Sequence, residues 1–225
     1  MSDGPSSGVD HWTTTYNNPP KGLVFLVFPT PSTATTGPLL DSFTGAHLWG
    51  GPGPTGCISS CVPFPETSPD GGNFVAIDGD PFYSATISQT VSGLVKGLSY
   101  DISFFQAAGQ DQKLSGITDE RWDVSLGIEH HLSTLMNNAS QNFVDWNYQT
   151  LRFTASVTGD DVLSFFAVGH PGGQPPIVLL DGISITTVPE PGTLALLGAA
   201  LLGALLVRRQ EKTSSETCLS PSSQP

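Results

Sequence analysis

The stretch that decides the fold is residues 98–104, Leu-Ser-Tyr-Asp-Ile-Ser-Phe, in which every second side chain is apolar. Successive side chains of a β-strand point to opposite faces, so a period of two indicates a strand with one buried face. The same pattern returns at residues 151–155 and at residues 122–128, where it places Trp122, Val124, Leu126 and Ile128 on a buried face. We therefore predict several half-buried strands.

Residues 162–168 are apolar on both faces except at Ser164, which is typical of a central strand. Turn-forming pairs separate the strands at Ser92-Gly93, Lys96-Gly97, Gly159-Asp160 and Gly172-Gly173. No helical periodicity precedes residue 188, and seven or more short strands separated by such turns indicate a β-sandwich. We assign this sandwich to residues 41–187 and treat residues 1–40 as a low-complexity or poorly ordered segment.

The composition points to an extracellular protein. The 225-residue chain has only 12% charged residues but 25 Gly and 19 Pro, which suits a turn-rich exported β domain. Its formal net charge is -12, and an acidic surface repels the phosphates of nucleic acid, so we expect no nucleic-acid partner. The acidity is compatible with calcium, with neutral sugars and with simple solubility.

The C-terminal segment at residues 188–209 differs in kind from the sandwich. Residues 193–207 contain only Thr, Leu, Ala, Gly and Val, and Arg208 and Arg209 follow. As a helix this run would cover roughly 22 Å of a hydrocarbon core about 30 Å thick, and the arginines can reach the far headgroups. We predict a transmembrane helix over about 193–207, with residues 210–225 as a cytoplasmic tail by the positive-inside rule. The alternative is a helix buried in the protein core.

Pro189-Glu190-Pro191, the apolar helix and the Arg208-Arg209 pair together resemble the PEP-CTERM sorting signal. The resemblance implies a protein exported by a Gram-negative bacterium that makes exopolysaccharide. It also implies processing near the Pro-Glu-Pro tripeptide by an exosortase, a membrane-embedded cysteine protease-transpeptidase. The tail after the arginines is longer than the few residues usual in this family.

Three stretches of the sandwich resemble PEP-CTERM proteins with a galactose-binding-like jelly roll. They are residues 69–76 (PDGGNFVA), 87–94 (ISQTVSGL) and 179–184 (LLDGIS). The likeness covers about residues 69–187, while the usual opening of the fold, Asn-Gly-x-Phe-Glu, is missing. The resemblance implies an all-β sandwich that often holds a structural calcium ion and sometimes binds carbohydrate.

The cysteines divide by compartment. Cys57 and Cys61 are spaced for a local disulfide after export, which would contribute about 2 kcal/mol. A zinc site is the alternative, but it would need further ligands besides the nearby His47. Cys218 lies in the predicted cytoplasmic tail and would remain a reduced thiol.

Residues 22–28 (GLVFLVF) leave three interpretations open. They form a short export signal cut near Ala34, or an early β-strand, or they follow a start codon assigned downstream of the true signal. We favour the last interpretation, because residues 1–20 are polar and without pattern.

Asp181 breaks the alternation of the last strand, because it shares a face with Leu179 and Ile183. Burying an unpaired carboxylate costs several kcal/mol, so a regular strand would require a cation or hydrogen-bond donors there. The alternative is a β-bulge at Gly182 that turns the carboxylate out to water.

A structural calcium ion is the cation that we expect at this position. Asp181 would share it with Asp78, Asp80 or Asp41 and with backbone carbonyls, since calcium prefers six to eight oxygens. The sequence Asp-Gly-Asp-Pro at residues 78–81 suits an ordinary turn as well.

A polysaccharide site requires exposed aromatic rings near polar side chains. Trp49, Tyr83 and Trp146 lie in or beside loop-like sequence and are the candidates, although each would alternatively pack at the edge of the core. Trp122 is in phase with core residues, and we assign it to the core.

Signals of catalysis are weak. Glu66, Glu120 and Glu129 form a glycosidase pair only if the fold brings two of them together. His130 and His131 are adjacent and point in opposite directions if they lie in a strand.

We therefore expect an exported, non-catalytic protein of the cell surface or the exopolysaccharide matrix. It would be anchored in the inner membrane by its C-terminal helix until an exosortase processes it. The alternatives are a calcium-dependent carbohydrate-binding module and, third, a surface glycan hydrolase.

Overall fold

The computed structural model describes residues 11–16, 24–27, 39–41, 46–48, 68–111, 114–174 and 176–189, together with residues 192 and 199. The chain divides into two compact units, Met1–Thr187 and Val188–Pro225. This division falls where the sequence separates the sandwich from the sorting segment. The described part of the chain contains no helix long and apolar enough to cross a bilayer. The transmembrane helix predicted at 193–207 lies outside the described residues except for residue 199.

The described part of the Met1–Thr187 unit consists of strands and their connections. The strands are β1 (Thr13–Tyr16), β2 (Val24–Val27), β3 (Leu39–Asp41), β4 (Ala46–His47), β5 (Phe74–Asp78), β6 (Ala85–Leu94), β7 (Ser99–Gln110), β8 (Thr118–Leu126), β9 (Glu129–Leu132), β10 (Met136–Asn138), β11 (Val144–Thr154), β12 (Gly159–His170) and β13 (Pro176–Thr187).

Two antiparallel sheets make up the sandwich. Sheet I has the order β1-β6-β12-β8-β10, with β9 also paired to β8, and sheet II has the order β11-β7-β13-β5-β2. β3 and β4 pair with each other. The all-β sandwich predicted from the sequence is confirmed, and β12 is the central strand that its apolar character predicts.

The alternating stretches form strands, with one correction. Tyr100, Ile102 and Phe104 of β7 are buried, as their spacing predicts. The prediction is wrong at Ile128, which is 85% exposed. Gly127 adopts a φ of 59° and begins a turn after β8, so the chain leaves the sheet before Ile128 is reached.

The sandwich begins earlier in the chain than residue 41. β1 pairs with β6 in sheet I, and β2 pairs with β5 in sheet II. Val24 and Val27 are buried, because β2 contributes to the core. The strand interpretation of residues 22–28 is therefore confirmed over residues 24–27, whereas the start-codon hypothesis stays a prediction.

Aromatic rings fill the interior between the two sheets. Phe165 of β12 meets Phe104 and Trp122 edge to face, with ring centroids 5.1 and 6.0 Å apart. Trp122 is fully buried, and its indole N–H donates a hydrogen bond of 3.2 Å to the carbonyl of Leu179 in the facing sheet. This bond joins the two sheets through the core, and the assignment of Trp122 to the core is confirmed.

The other face of sheet II carries a second hydrophobic cluster. Its buried members are Val27, Leu48, Phe74, Ala76, Ala107, Phe143, Ile177 and Leu179. Trp146 packs against this cluster and meets Phe74 edge to face, with ring centroids 5.2 Å apart. Sheet II is thus covered by apolar side chains on both faces.

Strand β13 changes register in its middle. Its pairing with β7 shifts between Asp181 and Ser184, and Gly182 adopts a φ of 61°. Its pairing with β5 ends where Leu180 lies opposite Val75. Beyond the bulge, β13 pairs only with β7 among the described strands, so its other edge is open beside the start of β5.

Candidate functional site

A cavity of about 390 Å³ lies at this open edge, between β13 and strand β6 of the facing sheet. We call it the β13 cleft. Its polar lining is Asp70, Asn73, Gln89, Asp181 and Ser184, and its apolar lining includes Trp12, Val91, Ile183 and Ile185. An aromatic ring beside carboxylates and amides is an arrangement that suits a ligand rich in hydroxyl groups.

The turn before β5 brings Asp70 to the cleft. The amide of Gly71 donates a hydrogen bond of 3.0 Å to the carbonyl of Ser68. Gly71 and Gly72 adopt φ values of 81° and 73°, which glycine does without steric strain. Asp70 then lies against the bulge of β13, where a Cβ atom on Gly182 would be 3.2 Å from the Cβ atom of Asp70.

Asp181 is half-buried beside Asp70. Its carboxylate accepts a hydrogen bond from the hydroxyl of Ser68. Burial raises the pKa of Asp181, the Ser68 hydroxyl and the Gly182 amide lower it, and the charge of Asp70 raises it; the net shift is upward. The bulge is therefore present, as one alternative predicted, but it does not turn the carboxylate out to bulk water: Asp181 lines the cleft and is hydrogen-bonded to Ser68.

Trp12 contributes the aromatic surface of the cleft. It lies immediately before β1, and its ring packs edge to face on Phe165 with centroids 6.0 Å apart. Because Trp12 is only partly buried, part of its ring is accessible to a ligand. Nothing in the sequence marks Trp12 as a site residue, since the segment around it has no apolar period.

The three stretches that resemble the jelly-roll family meet at this cleft. They contribute, in chain order, Asp70 and Asn73, then Gln89, then Asp181. The sequences of these stretches do not predict the site, because the stretches come together only through the pairing of β5 with β13 and the packing of β6 across the interior.

Asp78 and Asp80 lie together at the other end of β5. The carboxylate of Asp78 accepts the amide of Asp80 at 2.8 Å, and that of Asp80 accepts the amides of Phe82, at 2.8 Å, and Gly173. Both aspartates are 1% exposed. Burial and the charge of Asp80 raise the pKa of Asp78 to about 7. The pair holds a turn and a loop together.

This placement corrects the calcium ligands that we expected. Asp78 lies opposite Ile177, and Asp181 is four residues further along β13, about 13 Å away at the usual strand rise. Calcium ligands lie within about 2.6 Å of the ion, so Asp181 does not share an ion with Asp78 and Asp80. For Asp41 only the backbone is described. The described residues contain no group of three or more His, Cys, Asp or Glu side chains that could hold a metal ion.

The remaining predicted site residues lie away from the cleft or outside the described residues. Tyr83 follows β5 in a turn and is 39% exposed, and Trp146 is partly buried on the second hydrophobic cluster. Neither lines the cleft. Trp49, Cys57 and Cys61 lie outside the described residues, so the aromatic platform and the disulfide stay predictions.

The glutamates considered for catalysis do not line the cleft either. Glu120 is fully buried in β8, and burial raises its pKa well above the usual value. Glu129 on β9 contacts His131 at 2.8 Å and accepts the amide of Thr154 at 2.7 Å. Glu66 lies outside the described residues.

Residues 187–210 match the PEP-CTERM protein-sorting motif. The chain carries a PEP-CTERM sorting signal. The resemblance drawn from the sequence is thereby confirmed, and the signal implies an exported protein of Gram-negative type that an exosortase processes. Pro189 follows the end of β13 by two residues. The other residues named for the signal lie outside the described part of the chain: Glu190, Pro191, Arg208 and Arg209.

Solved structures similar to this chain include several carbohydrate-binding modules. TmCBM61, solved in complex with β-1,4-galactotriose, is 14% identical with a TM-score of 0.43, over 80% of this chain and 90% of that one. The N-terminal cellulose-binding domain of Cellulomonas fimi β-1,4-glucanase C is 15% identical with a TM-score of 0.34, over 79% and 95%. The CBM22-1 xylan-binding domain from Paenibacillus barcinonensis is 12% identical with a TM-score of 0.33, over 79% and 97%. No curated protein sequence matches the chain significantly.

Proposed function

We propose that this protein is an exported, non-catalytic, carbohydrate-binding protein of the cell surface or the exopolysaccharide matrix. The β13 cleft is the observation that carries the proposal, because it combines an accessible aromatic ring with carboxylates and amides. The sorting signal supports the location. In this proposal the C-terminal helix anchors the chain in the inner membrane until an exosortase cuts near Pro189.

The chemistry of the cleft matches that of a sugar ring. A pyranose has an apolar C–H face, which packs on an aromatic ring such as Trp12. Its hydroxyl groups donate to carboxylates and exchange hydrogen bonds with amides, which Asp181, Asn73 and Gln89 provide. The volume of about 390 Å³ falls in the usual range of small-ligand sites.

A surface glycan hydrolase is the second candidate, and the Asp70–Asp181 pair is the observation that favours it. Glycosidases use two carboxylates, of which the acid has a raised pKa. The pKa of Asp181 is raised, but Ser68 and the Gly182 amide already hydrogen-bond its carboxylate. We therefore place binding ahead of catalysis.

A comparison of two aromatic residues tests the binding proposal. Glycan-array binding would be measured for the full chain in detergent, as wild type, Trp12→Ala and Tyr83→Ala. We expect Trp12→Ala to weaken binding about tenfold through loss of ring packing, and Tyr83→Ala to have no effect because Tyr83 lies outside the cleft.

The other outcomes are equally informative. Loss of binding in Tyr83→Ala alone would favour the loop platform over the cleft. No binding to any glycan would refute the proposal. Release of reducing ends from the native matrix would replace it with the hydrolase.

The processing step has a separate test, which is the mass of the protein recovered outside the native cell. We expect a chain that ends near residues 189–191, and we expect Glu190→Ala to reduce its amount. Glu216→Ala removes the same charge in the tail and serves as the control. A full-length mass outside the cell would contradict processing.

A further inference from the structure

We infer that the β13 cleft prefers a carbohydrate with free amino groups, of the glucosamine type, over neutral and acidic sugars. The observation behind this inference is the juxtaposition of Asp70, Asp181 and Trp12 in a cleft that is lined by no basic side chain among the residues the structure describes. The inference rests on the proposed function and names the ligand class for the same site.

No basic side chain in the described part of the chain balances the negative charge of the cleft. Asp70 and Asp181 both line the cleft, and Asp70 packs against the backbone of Gly182, next to Asp181. The described lysine and arginine side chains are Lys96, Arg121 and Arg152, and neither these nor any described histidine lines the cleft. Arg152 is paired with Asp101 at 2.8 Å. Among the described residues, then, no lysine or arginine neutralises the two cleft carboxylates, and a cationic ligand would do so.

Neutral donors leave much of the acceptor capacity unused. The donors to Asp181 are the Ser68 hydroxyl and the Gly182 amide, whereas an ionised carboxylate has about four acceptor positions. A sugar ammonium brings three N–H donors together with the opposite charge. A sugar hydroxyl and a sugar ammonium both donate to a charged acceptor here, but only the ammonium adds the Coulomb attraction between opposite charges, so an amino sugar gains more than a sugar with hydroxyl groups alone.

An ammonium group also fits the cleft better than a metal ion does. Calcium requires six to eight oxygens, and the described residues offer no group of three or more acidic or other metal-binding side chains. An ammonium group on a sugar that packs against Trp12 needs only one or two carboxylates. Polyuronic acids are disfavoured as well, because the chain has a net charge of -12.

The test compares three β-1,4-linked hexamers, of glucosamine, of N-acetylglucosamine and of glucose, which differ at one ring position. Dissociation constants would be measured for the full chain in detergent, with a chelator so that no metal bridges protein and sugar. The measurement is made at about pH 6, where sugar amines are protonated. We expect the glucosamine hexamer to bind about tenfold more tightly than the other two, and added salt to reduce this preference.

Three charge-neutralising variants locate the preference. Asp181→Asn and Asp70→Asn should each bring the affinity ratio between the glucosamine and glucose hexamers close to one, because each variant weakens binding of the glucosamine hexamer more than binding of the glucose hexamer. Asp123→Asn removes the same charge on β8, where Asp123 pairs with His130, and should leave the ratio unchanged. An equal effect of Asp123→Asn and Asp181→Asn would indicate a general charge effect and overturn the assignment to the cleft.

The outcomes separate this inference from the proposed function. Equal affinities for the three hexamers, all weakened by Trp12→Ala, would overturn the amine preference and leave carbohydrate binding in place. No binding to any of the hexamers or to an array of other glycans would overturn both.

Discussion

Two pairs of aspartates lie at opposite ends of strand β5, and they differ in what satisfies their oxygens. Asp78 and Asp80 are buried, and backbone amides occupy their carboxylates. Asp70 is exposed and Asp181 half-buried, and both line an open cleft. The first pair can therefore hold the fold together, while the second pair has acceptor positions left for a ligand. Residue type does not distinguish the two roles; the neighbouring donors do.

Asp80→Ala tests whether the buried pair holds the fold together, and it has the largest expected effect. It removes the acceptor of two amides, those of Phe82 and Gly173. A hydrogen bond to a charged group contributes about 1.5–3 kcal/mol, so we expect the loss of both bonds to lower the free energy of unfolding, measured with urea, by about 3–5 kcal/mol. Asp80→Asn keeps one acceptor oxygen and should lose less than half as much. A loss below about 1 kcal/mol in Asp80→Ala would show that the pair is not structural.

The raised pKa of Asp78 makes the stability of the folded chain depend on pH. Its pKa rises from 3.8 to about 7 on folding, mainly through burial, so the folded chain takes up its proton more readily than the unfolded chain. The stability that this provides is complete below about pH 4 and is lost as the pH rises to about 7. At about 1.4 kcal/mol per pKa unit, the loss is on the order of 4 kcal/mol.

The measurement is the free energy of unfolding at several pH values, for wild type and Asp78→Asn. We expect the variant to lose less stability over the same range, because an amide does not titrate. Glu120, whose pKa is also raised, acts in the same direction in both proteins, so the difference between them isolates Asp78. Parallel pH profiles would contradict the assignment.

The strands were predictable from the sequence, but the cleft was not. Burial repeats at every second residue of a strand, so the apolar period of residues 98–104 is enough to predict both the strand and its buried face. The bulge at Gly182 was one of two alternatives, because local sequence does not say which register the neighbouring strand imposes. The role of Asp80 was equally hidden, since its partner Gly173 lies 93 residues further along the chain. Trp12 gave no signal, because its partner Phe165 is also distant in sequence.

Gly182→Ala tests how the bulge positions the open pair. The φ of 61° costs an alanine roughly 1–2 kcal/mol, and its Cβ atom would lie 2.9 Å from the ring of Phe105. We expect a loss of about 2–3 kcal/mol in the free energy of unfolding, together with weaker sugar binding. Gly93→Ala is the matched control, because Gly93 has a φ of 80° and a Cβ atom added there would meet no atom within 4 Å. Equal losses in the two variants would show that close packing at the bulge is unimportant.

The two aspartate pairs should also differ in their response to calcium, which is the smallest of the expected effects. Asp70 and Asp181 supply fewer oxygens than calcium prefers, so we expect weak binding and a stabilisation of about 1 kcal/mol or less at millimolar calcium. We expect Asp78 and Asp80 to contribute nothing to calcium binding, because burial favours the protonated form of Asp78 and backbone amides occupy the carboxylate of Asp80. Asp181→Asn should therefore abolish the calcium-dependent rise in melting temperature, and Asp78→Asn should retain it. Equal melting temperatures with excess calcium and with chelator would show that calcium does not stabilise the protein. A calcium-dependent rise that persists in Asp181→Asn would place the ion elsewhere in the chain.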